Sequence, residues 1–445
     1  MYDRQRQTTF QQKNSNNIGG YFKQLAVDIL SGVKDAFRVR EPASYEVGRS
    51  HKPDYMLVAL VIGLALLGLV LAFSISPALS AEYSVMRQGV FLVGGVGVFF
   101  IASRIPPKVF AKFSTFAFVA SLLLCLVPVF MGMANPDLCT NGACRWIPVG
   151  PMSIQPAEFL KLGMMLFTAS FLAEAVRRGS LNDSRKTLFP LAIITLIALF
   201  VVVVLQKDLG TGMSLAFIIL IQMVISGMRA KQVVLSLMAV AVIGVGAIAV
   251  APHRMERMGT FLSGDQCIDA TGESYHICQV LQSLGSGGPF GKGIGQAVGA
   301  FGWVPENTSD SIFAILGESL GYIGVVAVLG IFALLLYRII RVVDYTKSPY
   351  LRVIVGGAFG WIAGHLFINI SSMTGLMPLT GITLPFLSFG GTSVVIIMFM
   401  IGVVFGISRY TSHVKVNDTN EEKDSEDSLR RRGLGRTRYT DRRGN

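Results

Sequence analysis

The feature that most constrains this chain is a series of apolar runs of about 18 residues or more, each long enough to cross the hydrocarbon core of a bilayer. Hydrophobic residues make up 52% of the sequence and charged residues only 15%, which is too few for a soluble protein of this length. The pattern predicts an all-α polytopic membrane protein with about ten transmembrane helices. The expected spans lie near residues 56–75, 88–103, 113–133, 158–175, 188–205, 212–228, 232–251, 311–337, 353–373 and 391–408.

The distribution of lysine and arginine predicts the orientation of these helices, because cytoplasmic loops carry an excess of both residues. Both chain termini are expected in the cytoplasm, and the large loop between the seventh and eighth spans, about residues 251–310, is expected outside it. The net charge of +12 is attributed to topology and anionic lipid, and nucleic acid is not expected as a partner. The expected cytoplasmic loops carry Arg104, Lys108, Lys112, Arg177, Arg178, Arg185, Lys186, Arg229, Lys231, Arg338, Arg341, Lys347 and Arg352.

Three regions are expected: a cytoplasmic N-terminal tail (1–54), a membrane domain (55–410) and a charged, disordered cytoplasmic tail (411–445). Residues 1–20 are polar and do not resemble a cleavable signal peptide, so the first span is expected to direct insertion. Apolar residues recur every four positions across residues 21–40, which indicates an amphipathic helix. The sequence leaves open whether this helix lies on the inner leaflet or docks on the protein's own cytoplasmic face.

Four of the five cysteines fall in two expected external loops. Cys139 and Cys144 share one loop, and Cys267 and Cys278 share the other. This placement predicts two disulfides in an oxidising compartment. Zinc binding is the alternative, but neither pair has the C-x₂-C spacing that zinc sites use. The fifth, Cys125, is expected to be a buried apolar residue within the third span.

Asp310 lies where the large external loop meets the eighth span, and Glu318 follows inside that span. An ionisable residue in a membrane helix is costly and usually faces a polar cavity, so both are candidates for function. The alternative for Asp310 is that it, or Ser309, caps the helix.

Other polar residues also collect near the expected outer ends of helices, which indicates one outward-facing cavity suited to a lipid-linked anionic substrate. Simpler roles remain open: Trp146 as an interfacial anchor, Glu158 and Lys161 as a self-neutralising pair, and the arginines as partners of Glu158, Asp208, Glu256 or Glu306. Transport also remains open, because ion paths use mixed charges. The expected cavity residues are Arg145, Glu158, Lys161, Asp208, Arg254, Arg257, Glu306 and Asp310.

Two external segments are irregular. The glycine-rich run 284–295 lacks the Ser or Thr of a P-loop after its lysine and lies outside the cell, so an NTPase is excluded. Its glycines are expected to let the backbone bend near a ligand or a helix end. The segment 374–393 is too broken by Gly and Pro to form a continuous helix, and needs protein or a water-filled cavity around it.

These motifs strongly resemble the SEDS family of bacterial shape, elongation, division and sporulation proteins, over about residues 55–410. The resemblance rests on Arg145-Trp-Ile with Ile154-Gln-Pro-Ala-Glu158 and Lys161, on Gln206…Asp208-Leu-Gly-Thr211, on Pro305-Glu…Asp310, and on Gly381-Ile-Thr-Leu-Pro-Phe-Leu-Ser-Phe-Gly-Gly391. The residues at 154–158 and 382–385 resemble the division branch of the family more than the elongation branch. The chain departs from the family pattern at Lys207, Ser311, Ser319 and Phe389 and in the Thr-Ser pair before Asp310.

The resemblance implies a peptidoglycan glycosyltransferase, inverting at the sugar, that polymerises lipid II at the outer face of the bacterial cytoplasmic membrane during septal wall synthesis. It implies a class B penicillin-binding protein and other divisome proteins as partners, and a divalent cation (Mg or Mn) with unknown ligands. Alternatives are a lipid II flippase or other transporter, a RodA-like elongation polymerase and a non-catalytic divisome scaffold. The implied catalytic residue is Asp310, and the implied substrate-binding residues are Arg145, Trp146, Gln155, Glu158, Lys161, Asp208, Arg254, Arg257, Glu306 and Ser388.

Overall fold

A computed structural model of the protein describes residues 24, 27–34, 37, 51–75, 85–139, 143–150, 152–249, 251–262, 267, 272–301 and 303–411. Within these ranges, 10 helices are long and apolar enough to cross a membrane, which confirms the expected all-α polytopic architecture. The expected disordered tail after residue 411 lies outside the described residues. The spanning helices are α1 (Tyr55–Ile75), α2 (Val85–Arg104), α3 (Pro107–Ala134), α4 (Pro156–Arg177), α5 (Phe189–Leu199, within a span Ser184–Leu205), α6 (Leu209–Ser226), α7 (Ala230–Ala249), α10 (Ile312–Tyr345), α11 (Pro349–Met373) and α12 (Gly391–Ile407).

The remaining elements lie in loops between spans. A short antiparallel hairpin, β1 (Ile147–Val149) and β2 (Met152–Ile154), precedes α4. Two helices, α8 (Pro252–Leu262) and α9 (Gly272–Ser286), occupy the large loop between α7 and α10. The fifth span continues through π-helical turns at Ser184–Leu188 and Phe200–Leu205, and single π-turns of this kind often accompany functional sites.

Helices α4, α6, α11 and α12 form the centre of the bundle, where most side chains are buried. Small residues allow α11 to approach α6 closely, as is common between membrane helices. A Cβ atom at Gly360 would lie 2.9 Å from Ile221, and one at Gly357 would lie 2.5 Å from Met165 of α4. Helix α7 lies at the periphery, since Gln232 is the only buried residue among its 20 described positions.

The described residues between 24 and 37 are helical and contact the protein itself. The Asp28 carboxylate lies 3.5 Å from the Arg185 guanidinium, and the Phe37 and Phe167 rings lie 5.4 Å apart. Gly32 packs against Pro190, where a Cβ atom would lie 2.6 Å from the proline ring. These contacts favour docking on the protein's own surface, which was one of the two alternatives left open.

Helix α10 is interrupted at Gly321, whose φ of 68° is left-handed. The glycine-rich loop supplies hydrogen-bond partners for the main-chain groups that the interruption leaves without helical partners. The break separates the carbonyls of Glu318 and Ser319 from the amides of Tyr322 and Ile323, their normal helical partners. All four groups bond to the loop instead. The bonds are Lys292 N to Glu318 O (2.9 Å), Gly293 N to Ser319 O (3.0 Å), Tyr322 N to Gly288 O (2.9 Å) and Ile323 N to Pro289 O (3.1 Å).

Only glycine fits where the loop meets the helix. A Cβ atom at Gly321 would lie 2.2 Å from Gly291 N, and one at Gly291 would lie 2.3 Å from Ser319 O. The glycines of this run therefore bend the backbone beside a helix break, which is one of the two roles expected from the sequence.

Candidate functional site

Asp310 is buried at the end of the large loop, two residues before α10 begins, and is only 9% exposed. The Ser309 hydroxyl lies 3.3 Å from its Oδ1 atom and 2.6 Å from Glu306 Oε2. Burial, followed by the nearby Glu306 carboxylate, raises the pKa of Asp310 from its usual value near 3.8 to about 7, against smaller opposing effects of hydrogen bonds and Arg257. Its carboxyl can therefore exchange a proton near neutral pH.

The capping alternative for Asp310 is wrong. Ser311 occupies the N-cap position of α10, and no side chain there makes a capping hydrogen bond. The Ser311 hydroxyl instead pairs with His276 Nε2 at 2.9 Å. The Asp310 side chain is thus not committed to the helix end.

The irregular segment 374–390 packs around Asp310, as expected for non-helical backbone that needs protein around it. Phe389 N donates to Thr308 O at 2.8 Å, and an added Cβ at Gly381 would lie 3.7 Å from Asp310 Oδ2. Ser388 is buried and holds a turn within this segment, since its hydroxyl accepts from Leu384 N at 2.8 Å. The Ser388 side chain therefore stabilises the backbone turn and does not lie at an open surface.

Arg145 and Asp208 meet beside the start of α6. The Arg145 guanidinium donates to Lys207 O at 2.6 Å, and its Nε lies 4.0 Å from Asp208 Oδ2. Asp208 caps α6 by accepting from Thr211 N at 3.0 Å, and Gln155 Nε2 donates to it at 3.3 Å. These contacts bring three of the implied substrate-binding residues together.

Arg254 and Arg257, both on α8, complete a cationic cluster with Arg145. Arg254 donates to Ala247 O at 2.9 Å and to Val203 O at 3.0 Å, and Arg257 donates to Leu379 O at 2.9 Å. Burial lowers the pKa of Arg254, and so do the positive charges of Arg145 and Arg257. Repulsion between these cations makes the cluster a place where an anion is favoured.

The sequence left open that the three arginines pair with acidic side chains, and the structure shows such pairing only in part. Their hydrogen bonds described here run to main-chain carbonyls, whereas the Arg145–Asp208 pair is long. The Glu256 side chain lies outside the described residues.

An open apolar groove with a cavity volume of about 880 Å³ lies between α5 and α7 at the surface of the bundle, and two cationic side chains line one end of it. Phe200, Val204 and Ile243 are among its apolar lining residues, and Lys207 and Arg254 lie at its polar end. A long hydrocarbon chain with an anionic head group matches this combination in both shape and charge.

The sequence model of one family matches residues 54–413 and is described as a cell cycle protein. The chain belongs to the FtsW/RodA/SpoVE family. Stage V sporulation protein E of Bacillus subtilis is 34% identical over 81% of this chain and 98% of that protein. A probable peptidoglycan glycosyltransferase FtsW of Nitrosomonas europaea is 32% identical over 86% of this chain and 95% of that protein. The resemblance to the SEDS family is thereby confirmed.

Solved structures show the same fold. A chain from a peptidoglycan synthase complex that coordinates polymerization and crosslinking superimposes with a TM-score of 0.67 at 25% identity, covering 80% of this chain and 98% of that one. The rod shape determining protein RodA of Thermus thermophilus gives a TM-score of 0.59 at 24% identity, covering 81% and 98% respectively. This FtsW/RodA/SpoVE protein is a multi-pass membrane protein.

Glu158 and Lys161 lie deeper than the expected open cavity. Lys161 is fully buried, with its Nζ 2.7 Å from Glu158 Oε1, 3.0 Å from His365 Nε2 and 5.0 Å from the Trp361 ring centre. They form a self-neutralising pair inside the bundle, and the expectation that they line an outward-facing cavity is corrected accordingly. Trp146 is 40% exposed, which suits the interfacial anchor as well as a substrate contact.

Glu318 accepts hydrogen bonds from the glycine-rich run 284–295 and from residues on either side of it, and its side chain does not face an open cavity. Its carboxylate accepts from Lys292 Nζ at 2.6 Å, from Ser283 Oγ at 2.7 Å and from the amides of Val298 and Gly299. The candidate function of Glu318 is therefore structural, through the loop that leads to Asp310.

Sequence reasoning missed two polar residues of α11, His365 and Asn369. Asn369 is buried, and its amide donates to Asp310 O at 2.8 Å and to Ile382 O at 2.7 Å. Polar residues four apart in an otherwise apolar span were the signal that could have identified them.

No group of three or more His, Cys, Asp or Glu side chains placed to hold a metal ion occurs in the part of the chain that the structure describes. The exposed Glu306 carboxylate, next to Asp310, still fits a magnesium ion, which often binds one or two carboxylates together with substrate phosphates.

Proposed function

We propose that this protein is a peptidoglycan glycosyltransferase that polymerises lipid II into glycan strands at the outer face of the cytoplasmic membrane during septal wall synthesis. One observation carries the proposal: a buried carboxyl with a pKa of about 7, Asp310, lies in the same region as an arginine cluster at the end of an apolar cavity. A general base and an anion site near a lipid-sized cavity are what transfer between lipid-linked sugars requires.

In the proposed reaction, the sugar 4-hydroxyl of one lipid-linked unit attacks the anomeric carbon of another. A carbon–oxygen bond forms there as the bond to the lipid diphosphate breaks, so a single displacement inverts the anomeric centre. The hydroxyl proton passes to the ionised carboxylate of Asp310, whose pKa suits a base near neutral pH. The electron pair leaves on the diphosphate.

The arginine cluster would bind the diphosphate and stabilise its developing charge. A guanidinium keeps its charge and presents a fork of donors that fits phosphate oxygens. A divalent cation, held by Glu306 and the diphosphate oxygens, would add electrostatic stabilisation of the leaving group.

Partnership with a class B penicillin-binding protein is part of the proposal. Its support is the similarity to a chain from a complex that couples polymerization to crosslinking. Septal location is supported by relatives named FtsW.

The test combines the purified protein and its partner transpeptidase with fluorescent lipid II and separates the products by gel electrophoresis. Wild type should form glycan polymer, and Asp310→Asn should form none while remaining inserted and bound to the partner. Asp137→Asn is the matched control, because Asp137 is an exposed aspartate in the loop after α3, outside the cluster. It should polymerise normally.

Two results would contradict the proposal. Polymer from Asp310→Asn would remove Asp310 from the base role. Absence of polymer with an active partner, together with movement of lipid II between leaflets in vesicles, would favour the transporter.

A further inference from the structure

Asn369 joins two segments that are distant in the sequence. One amide group, Nδ2, donates to the main-chain carbonyl of Asp310 at 2.8 Å and to that of Ile382 at 2.7 Å. A carboxamide has two N–H groups that diverge in one plane, so a single asparagine can bond both carbonyls at once. The residue is 1% exposed, and both carbonyls would be left without this donor if the side chain were apolar.

Asn369 is the middle member of three polar residues on one face of α11. His365 Nδ1 lies 3.2 Å from Thr383 O, and the Ser372 hydroxyl lies 3.2 Å from Pro378 O. Positions four and three apart share a helix face, so the three side chains fasten the irregular segment 378–383 along its length. Of these three contacts, only that of Asn369 extends to the loop that carries Asp310.

The loop that carries Asp310 is also joined to the end of the irregular region 374–390, by the bond from Phe389 N to Thr308 O. Asp310 is therefore bonded at one cross-link and lies two residues from the other. With both cross-links in place, its carboxyl is buried and lies close to Gly381.

We propose that Asn369 is a positioning residue that holds the Asp310 carboxyl in its buried place by fastening the main chain of Asp310 to that of Ile382. The inference rests on the proposed function for its effect on turnover. Its structural part, the placement of Asp310, can be measured without any turnover.

The test compares Asn369→Leu with wild type, because leucine has nearly the same size and no donor. The first readout is modification of Asp310 by dicyclohexylcarbodiimide, which reacts with protonated carboxyls in apolar surroundings, followed by mass spectrometry across pH 5–9. Wild type should show a midpoint near pH 7. In Asn369→Leu the freed carboxyl gains solvent, so its midpoint should fall by about one pH unit or more.

The second readout is polymerisation of lipid II as a function of pH. Asn369→Leu should lower kcat by roughly 10- to 100-fold with little change in KM, because a misplaced base affects the chemical step more than binding. The acidic limb of its pH profile should move to lower pH together with the modification midpoint.

Ser372→Ala is the matched control, since it removes two hydrogen bonds, to Pro378 O and Thr380 Oγ1, from the same helix face to the same segment and does not touch Asp310. It should leave the midpoint and the acidic limb unchanged. An equal shift in Ser372→Ala would overturn a specific role of Asn369, and so would an unchanged midpoint in Asn369→Leu, whatever its melting temperature.

Failure of this inference is distinguishable from failure of the proposed function. If wild type makes no polymer, the proposed function fails, yet the modification midpoints still decide whether Asn369 places Asp310. The other case is that wild type polymerises lipid II, Asp310→Asn does not, and Asn369→Leu matches wild type in both readouts. That result would contradict the positioning role of Asn369 and leave the proposed function standing.

Discussion

The Glu318 carboxylate accepts a hydrogen bond from Lys292 Nζ at 2.6 Å, which ties the glycine-rich loop to the first turns of α10. Ser283 and two loop amides bond to the same carboxylate. Glu318 is 1% exposed, whereas the Lys292 side chain is 34% exposed. The carboxylate therefore depends on its partners for solvation, and the lysine depends on them less.

Lys292→Met should destabilise the protein because it leaves Glu318 buried without its cation. We expect a loss of about 2 kcal/mol, less than for a fully buried pair because Lys292 retains contact with solvent. Thermal unfolding of Lys292→Met, Glu318→Gln and the double variant measures this as a double-mutant cycle. Additive losses in the cycle would mean that the two groups do not interact.

The raised pKa of Asp310 predicts opposite pH dependences for activity and stability. The base must be ionised, so kcat/KM should rise with pH through about 7. Because the folded-state pKa lies above the unfolded value, Asp310 contributes stability at low pH that is lost as pH rises through about 7.

Asp310→Asn should therefore melt at a higher temperature than wild type above pH 7, and the difference should shrink towards pH 4. Melting curves of both proteins between pH 4 and pH 9 measure this, with Asp137→Asn as the control. A constant difference across that range would show that Asp310 does not titrate within it.

Replacement of Arg145, Arg254 or Arg257 by Gln tests the diphosphate site. A substrate role predicts turnover lowered by roughly 10- to 1,000-fold at near-normal melting temperature. A purely loop-holding role, through the carbonyl contacts of these residues, predicts a lowered melting temperature at least as prominent as the catalytic loss. Arg87→Gln, at the start of α2, is a control outside the cluster. Normal turnover in all three variants would exclude the diphosphate assignment.

The disulfides Cys139–Cys144 and Cys267–Cys278 are both present in the structure. Mass spectrometry of unreduced peptides should recover these two linked pairs and a free thiol at buried Cys125. Cross-loop pairing, or four unlinked cysteines at these positions, would contradict this connectivity.

The ten spans could be predicted because crossing a bilayer is a local requirement on length and polarity. The full burial of Lys161 could not be predicted, because its contacts with His365 and Trp361 of α11 form only when the helices pack together. The partners of Glu318 and Asn369 lie between 13 and 59 residues away in the sequence and meet them only when the bundle assembles. Asp310 was found from its position beside a span, whereas its surroundings depend on those distant contacts.

At the break at Gly321, main-chain hydrogen bonds join the glycine-rich loop to α10. The loop supplies the hydrogen bonds that the helix lacks, so neither can be displaced without the other or without losing four main-chain bonds together. A displacement of the loop is therefore expected to move α10 as well, at a position about three helical turns after Asp310.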